Sequence, residues 1–205
     1  MVFYIYLGVL ILILGAQIIL RPYLVKRVKL IFWLVLAFQI LLTFYDVKKQ
    51  YSIWQTSELT NRLLPPYQPI GFFLSYGFSR FLIPLIFSVA AALIFLFLTK
   101  YLNRRFQERF FYPEESYLGA IAILIISHPL WAVYLILIIL SVLIGTLAKK
   151  IILKLKTNNQ QVITNRFSPY YLWTLLAIFI IIINKIATAH NWEWFLMAIK
   201  LWRIG

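Results

Sequence analysis

Cysteine is absent from this chain of 205 residues. That excludes a disulfide framework, a thiolate nucleophile and any cysteine metal site. Acidic residues are scarce: six Asp and Glu stand against 20 Lys and Arg, a formal charge of +14. Asp46 is the only aspartate. Histidine occurs only at His128 and His190, neither with a companion at ligand spacing. A Gly-rich phosphate loop, an H-E-x-x-H pair and a G-x-S-x-G turn are all missing. No metal and no cofactor is expected. Only 13% of residues are charged, too few to cover the surface of a soluble domain.

What is present is apolar: 63% of residues are hydrophobic and 18% aromatic. The cations form short clusters between apolar runs, as in loops facing anionic lipid, and not a separate nucleic-acid-binding tail. No nucleic acid is expected; membrane lipid is. A membrane-crossing helix needs about 20 apolar residues. Candidate spans are 2–20, 30–45, 81–99, 130–148 and 169–184, with a short segment at 117–127. The first run follows no basic stretch and precedes no small-residue cleavage site, so a retained span is expected. The tail "WEWFLMAIKLWR", 192–203, mixes tryptophan with Lys200 and Arg203, the composition of a helix lying in the interface. The expected fold is all-α, one polytopic transmembrane bundle of five to six spans over residues 1–205.

Two segments leave the path open. If Tyr117–Ala148 were one helix, Lys149 and Lys150 would lie opposite Arg104 and Arg105, against the positive-inside rule. A short helical hairpin turning at His128-Pro129 brings both clusters to one side. The second segment is "LLPPYQPIGFFLSYGFS", Leu63–Ser79, uncharged and rich in proline. Outside the bilayer it leaves Asp46 outside; as a span it puts Asp46 on the side of Glu115. The Lys and Arg counts of the two topologies differ by a single residue on each side.

Most polar residues have structural readings. The Trp and Tyr residues suit interface belts. The two histidines suit helix ends, and Arg80 can snorkel to the interface. Gly119, Pro84 and His128-Pro129 suit helix ends or packing sites. That leaves Asp46, in "LLTFYDVKK", and the pair Glu114 and Glu115, in "PEESYLGA". The macrodipole accounts for acids at a helix N-terminus, and two lysines flank Asp46. The same acids, if they faced each other, are the only plausible pair to share a proton and activate water.

"TFYDVKK" at the end of an early span resembles the first aspartate motif of type IV prepilin peptidases, which are membrane aspartic peptidases. "LIFSVAAALIFLFLTKYLNRR" and "EESYLGAIAI" are similar to the span before, and the helix after, that family's second motif, G-x-G-D-x-K. "LSVLIGTLAKK" resembles its small-residue span, and "RFSPYYLWTLL" its I-P-F-G-P-F-L stretch. The resemblance runs from Leu30 to about Asn184. It implies catalytic Asp46 and Glu115, a bacterial inner membrane and pilin-like leader peptides as substrates. The departures are that Glu115 stands where an Asp belongs, Tyr117 where a Lys belongs, and the motif glycines are missing. They point toward a degenerate member: a pseudoenzyme, or a non-catalytic scaffold or assembly subunit working with other membrane proteins. "FYDVKKQYSIW" is also similar to the W-D-x-n-W pattern of lycopene cyclases, without their later acidic motif. A transporter subunit is a further alternative.

Overall fold

The computed structural model describes residues 2–105, 111–156 and 170–190. Every long element among them is helical: α1 (Val2–Ile19), α2 (Arg21–Thr56), α3 (Glu58–Asn61), α4 (Ile70–Gly77), a π-helical turn (Phe78–Leu82), α5 (Ile83–Arg105), α6 (Pro113–Ile126), α7 (Leu130–Lys156) and α8 (Leu172–Ala189). Four stretches are long and apolar enough to cross a membrane: Arg21–Thr56, Ile70–Arg105, Leu130–Ala148 and Leu172–Ala189. They mark the chain as an integral membrane protein. α6 is shorter, and the apolar stretch of α1, Phe3–Ile19, falls one residue short of the shortest of these. The expected interfacial helix at 192–203 lies outside the described residues.

The span boundaries change in four places. The expected short segment 117–127 is α6, Pro113–Ile126, which starts four residues earlier. The expected 30–45 is the middle of a 36-residue helix, α2. The expected 81–99 belongs to a continuous rod, Ile70–Arg105, also of 36 residues. α8 begins at Leu172, because Tyr170 and Tyr171 form a turn before it. Helices of that length run about 54 Å, against about 30 Å of hydrocarbon. Their surplus pairs beyond the bundle: Trp54 packs on Phe73 and Tyr76, Tyr51 on Phe73, and Val47 beside Gly77. Leu63–Ser79 therefore forms no separate helix long enough to cross a membrane; its helical part extends the rod. The π-helical turn sits just before Pro84. Proline has no N–H to give the preceding turn, and its ring crowds the carbonyl of residue 80, so a wider turn relieves the clash.

α6 is the centre of the bundle. Twelve of its fourteen residues are buried, enclosed by α2, α5, α7 and α8. α5 lies against it along a stripe of small and polar residues, Ser88, Ala92, Thr99 and Asn103. Small residues let two backbones approach closely, which is how helices associate where lipid is as apolar as leucine. The contacts fix direction. Ser88 meets His128, Lys100 meets Tyr117 and Asn103 clasps Phe111, so α5 and α6 run antiparallel.

At Ser127 the chain turns, with φ 58°. The His128 N–H donates to Ser88 Oγ at 2.7 Å, tying the elbow to α5. Tyr134 in α7 then donates its hydroxyl to the Trp173 carbonyl at 2.9 Å. The Trp173 ring lies against Gly119, nine residues before the elbow. α7 has thus come back alongside α6, and the hairpin expected at His128-Pro129 is the path the chain takes.

Candidate functional site

The strongest concentration of buried polar groups lies at the N-terminus of α6. Pro113 at the first helical position cannot donate a hydrogen bond, and needs none there. Two glutamates follow in the first turn, where the helix dipole favours negative charge. Glu115 is 0% exposed. Its Oε2 accepts the Tyr112 N–H at 3.2 Å, while the Glu115 N–H donates to the Tyr112 carbonyl at 3.0 Å. Only the N3 half of a capping box is present, the Glu115 carboxylate accepting the N-cap N–H; the second bond runs between backbone groups. Glu114 faces Arg21, with Oε1 4.0 Å from Nη2, the Arg21 side chain being about half exposed. At that length and exposure the pair contributes at most about 1 kcal/mol.

Arg21 is held in place by aromatic rings as much as by charge. Its guanidinium lies 4.8 Å from the Tyr170 ring centre and 5.8 Å from that of Tyr112. The Tyr170 carbonyl accepts from Gln17 Nε2 at 3.0 Å, which joins α1 to the start of α8. Burial pushes the Tyr170 phenol up to about 12, with Arg21 pulling it the other way, so it stays protonated at neutral pH. Asn103 locks the entry to α6 from the other side: its Oδ1 accepts the Phe111 N–H at 3.0 Å and its Nδ2 donates to the Phe111 carbonyl at 2.5 Å.

Asp46 is elsewhere. It is partly buried on α2, one turn beyond Thr43, and makes no ion pair among the described residues. α2 is one unbroken helix from Arg21 to Thr56. Arg21 reaches Glu114 at its start, and Asp46 lies 25 residues further on (46 − 21). At 1.5 Å per residue that is about 38 Å along the axis. The structure therefore does not bring Asp46 and Glu115 together. Two carboxylates that share a proton must be in contact, and within this chain Glu115 follows the residue that faces the start of α2 while Asp46 lies 25 residues further along that helix (46 − 21).

The other singled-out residues are structural. His128 sits at the elbow, its ring 5.5 Å from that of Phe87. His190 caps α8, its Nδ1 3.2 Å from the Ile186 carbonyl. Arg80 is exposed on the π-helical turn. Among the described residues no group of three His, Asp or Glu side chains is placed to hold a metal.

Glu115 offers a clean separation of roles. Glu115→Gln keeps an acceptor oxygen at the capping position, so stability should change by less than about 0.5 kcal/mol. Glu115→Leu removes it and should cost about 1–2 kcal/mol in the unfolding of the purified protein. Equal losses for Gln and Leu would show that the charge, not the cap, is what matters.

Gln17, Asn103, Ser88 and Tyr170 carry the contacts that shape this region, and the linear sequence did not single them out. Gln17 had a signal: an amide near the end of an apolar run needs a polar partner when buried. The chain matches no protein-family model, no curated protein and no solved structure.

Proposed function

We propose that this chain is a non-catalytic subunit of a bacterial cytoplasmic membrane, a scaffold that works by binding other membrane proteins. The observation that carries this is the separation of the two candidate acids along α2. The acids near one another, Glu114 and Glu115, are engaged in an ion pair and a helix cap. On this reading the likeness to prepilin peptidases is one of segment order, without the paired carboxylates. α1, α2, the Ile70–Arg105 rod, the α6–α7 hairpin and α8 form six membrane segments. Arg21, Lys26, Arg27, Lys29, Arg104 and Arg105 then face the cytoplasm, as the positive-inside rule requires.

The cysteine-free chain makes the test direct. Asp46→Cys should react with an impermeant thiol reagent in intact cells, and Arg104→Cys only after permeabilisation. A co-expressed pilin-like leader should remain uncleaved. Cleavage that disappears in both Asp46→Asn and Glu115→Gln would sink the scaffold reading. Labelling of both cysteines from one side would sink the topology.

A further inference from the structure

At the end of the bundle where α2 begins and α5 ends, the exposed charge among the described residues is of one sign. Leu24, Val28 and Phe32 recur every four residues and are buried. The rest of that turn of α2 carries Lys26, Arg27 and Lys29 into the open. On α5 the buried stripe through Thr99 and Asn103 leaves Tyr101, Arg104 and Arg105 facing outward. These three line an open recess of about 420 Å³. Glu114 and Glu115, the acids described at this end, are buried and already engaged. No exposed counter-charge balances the cations among the described residues.

Among the described residues nothing inside the fold explains Lys26, Arg27 and Lys29. They lie exposed in the second and third turns of α2, with no ion pair to any described acid. Their depth is informative. Lys29 directly precedes the apolar run that starts at Leu30, and Arg104 and Arg105 close the run that ends at Thr99. Cations at both edges of apolar runs sit at the level of the lipid phosphates. Arginine presents a fork of donors that matches a phosphate, and tyrosine favours the interface.

We propose that this basic end binds anionic phospholipid headgroups. Arg104, Arg105 and Tyr101 hold one phosphodiester in the recess, and Lys26, Arg27 and Lys29 gather further anionic lipid round α2. The inference rests on the membrane placement given above and not on the absence of catalysis, so the cleavage and labelling assays can fail or succeed independently of it.

The test is a lipid titration of the full-length detergent-solubilised protein, with adducts counted by native mass spectrometry. Phosphatidylglycerol should bind at least tenfold more tightly than phosphatidylcholine, and added salt should shrink the difference. Each surface cation is worth roughly a fivefold change in binding, so Arg104→Gln with Arg105→Gln should weaken phosphatidylglycerol by roughly 25-fold. Lys48→Gln with Lys49→Gln, at the other end of α2, should leave the preference intact and so controls for net charge. Equal binding of the two lipids would overturn the proposal. So would a preference that survives the arginine substitutions. Binding of poly-glutamate in place of lipid would overturn it too, and would assign the surface to an acidic protein.

Discussion

Trp173→Ala should destabilise the protein by about 2–4 kcal/mol. The side chain is 1% exposed and stands where four elements meet. Its ring lies 5.4 Å from Phe95, 6.1 Å from Phe111 and 6.5 Å from Tyr134, centre to centre. Truncating a buried tryptophan in a soluble protein costs about 3–5 kcal/mol, as lost transfer plus a cavity. In a membrane the unfolded reference keeps its apolar surface in lipid, so the transfer part shrinks while the packing part remains. That places the expected loss somewhat lower. Among the described residues the indole N–H has no hydrogen-bond partner. Trp173→Phe therefore keeps most of the volume and removes a buried unsatisfied donor, and should cost less than about 1 kcal/mol. The check is unfolding of the purified protein in lipid nanodiscs. A loss as large for Phe as for Ala would mean that the N–H, not the bulk, is what the site needs.

Gly119→Leu should be comparably damaging for the opposite reason. A Cβ at Gly119 would stand 2.5 Å and 2.8 Å from two atoms of the Phe95 ring and 2.9 Å from the Trp173 ring. Those distances are closer than side chains ever pack, so both rings would have to move. Trp173 is buried and has the least room to give, whereas Phe95 is only partly buried and can yield part of the way. Overpacking of a filled core costs about 1–3 kcal/mol, and a whole leucine lies at the upper end or beyond. Gly119→Ala would gain helix propensity of about 1 kcal/mol, yet should still be destabilising. Because Gly119 and Phe95 are in contact, their effects should not add. Phe95→Ala in the Gly119→Leu chain should restore part of the loss, a coupling of about 1 kcal/mol or more. Additive losses would place Phe95 away from the site and refute the geometry on which the central role of α6 depends. Gly8 and Gly15 have open space around them, and the same substitutions there should have little effect.

These residues show where reading the chain in one dimension stops. Gly119 stood out as a packing site or a helix break, and its partners Phe95 and Trp173 could not be named. In a soluble helix the apolar stripe tells which face is buried. Here the lipid-facing and protein-facing sides are equally apolar. Ile123 and Leu124 are fully buried while Ile94 and Phe97 are exposed, and nothing in their chemistry separates them. The boundaries of α2 failed for a related reason. Lys26 to Lys29 and Asp46 to Lys49 interrupt hydropathy but not helix formation, so a 36-residue helix read as a 16-residue span.

The sequence by itself determined that this protein is helical and built for a membrane, because long apolar runs punctuated by cationic clusters leave a chain no other way to satisfy its backbone in lipid. It also favoured an elbow at His128-Pro129 over one continuous helix, because Arg104, Arg105, Lys149 and Lys150 belong on one side, and it marked Glu114 and Glu115 as acids suited to a helix start. Only the tertiary structure decided which acids meet. Asp46 and Glu115 look like partners in a linear reading. One unbroken helix carries Asp46 about 38 Å from the arginine that faces Glu114. Distance between groups far apart in the chain is set by how whole helices pack, and that packing left Glu115 a helix cap beside an arginine on the basic end.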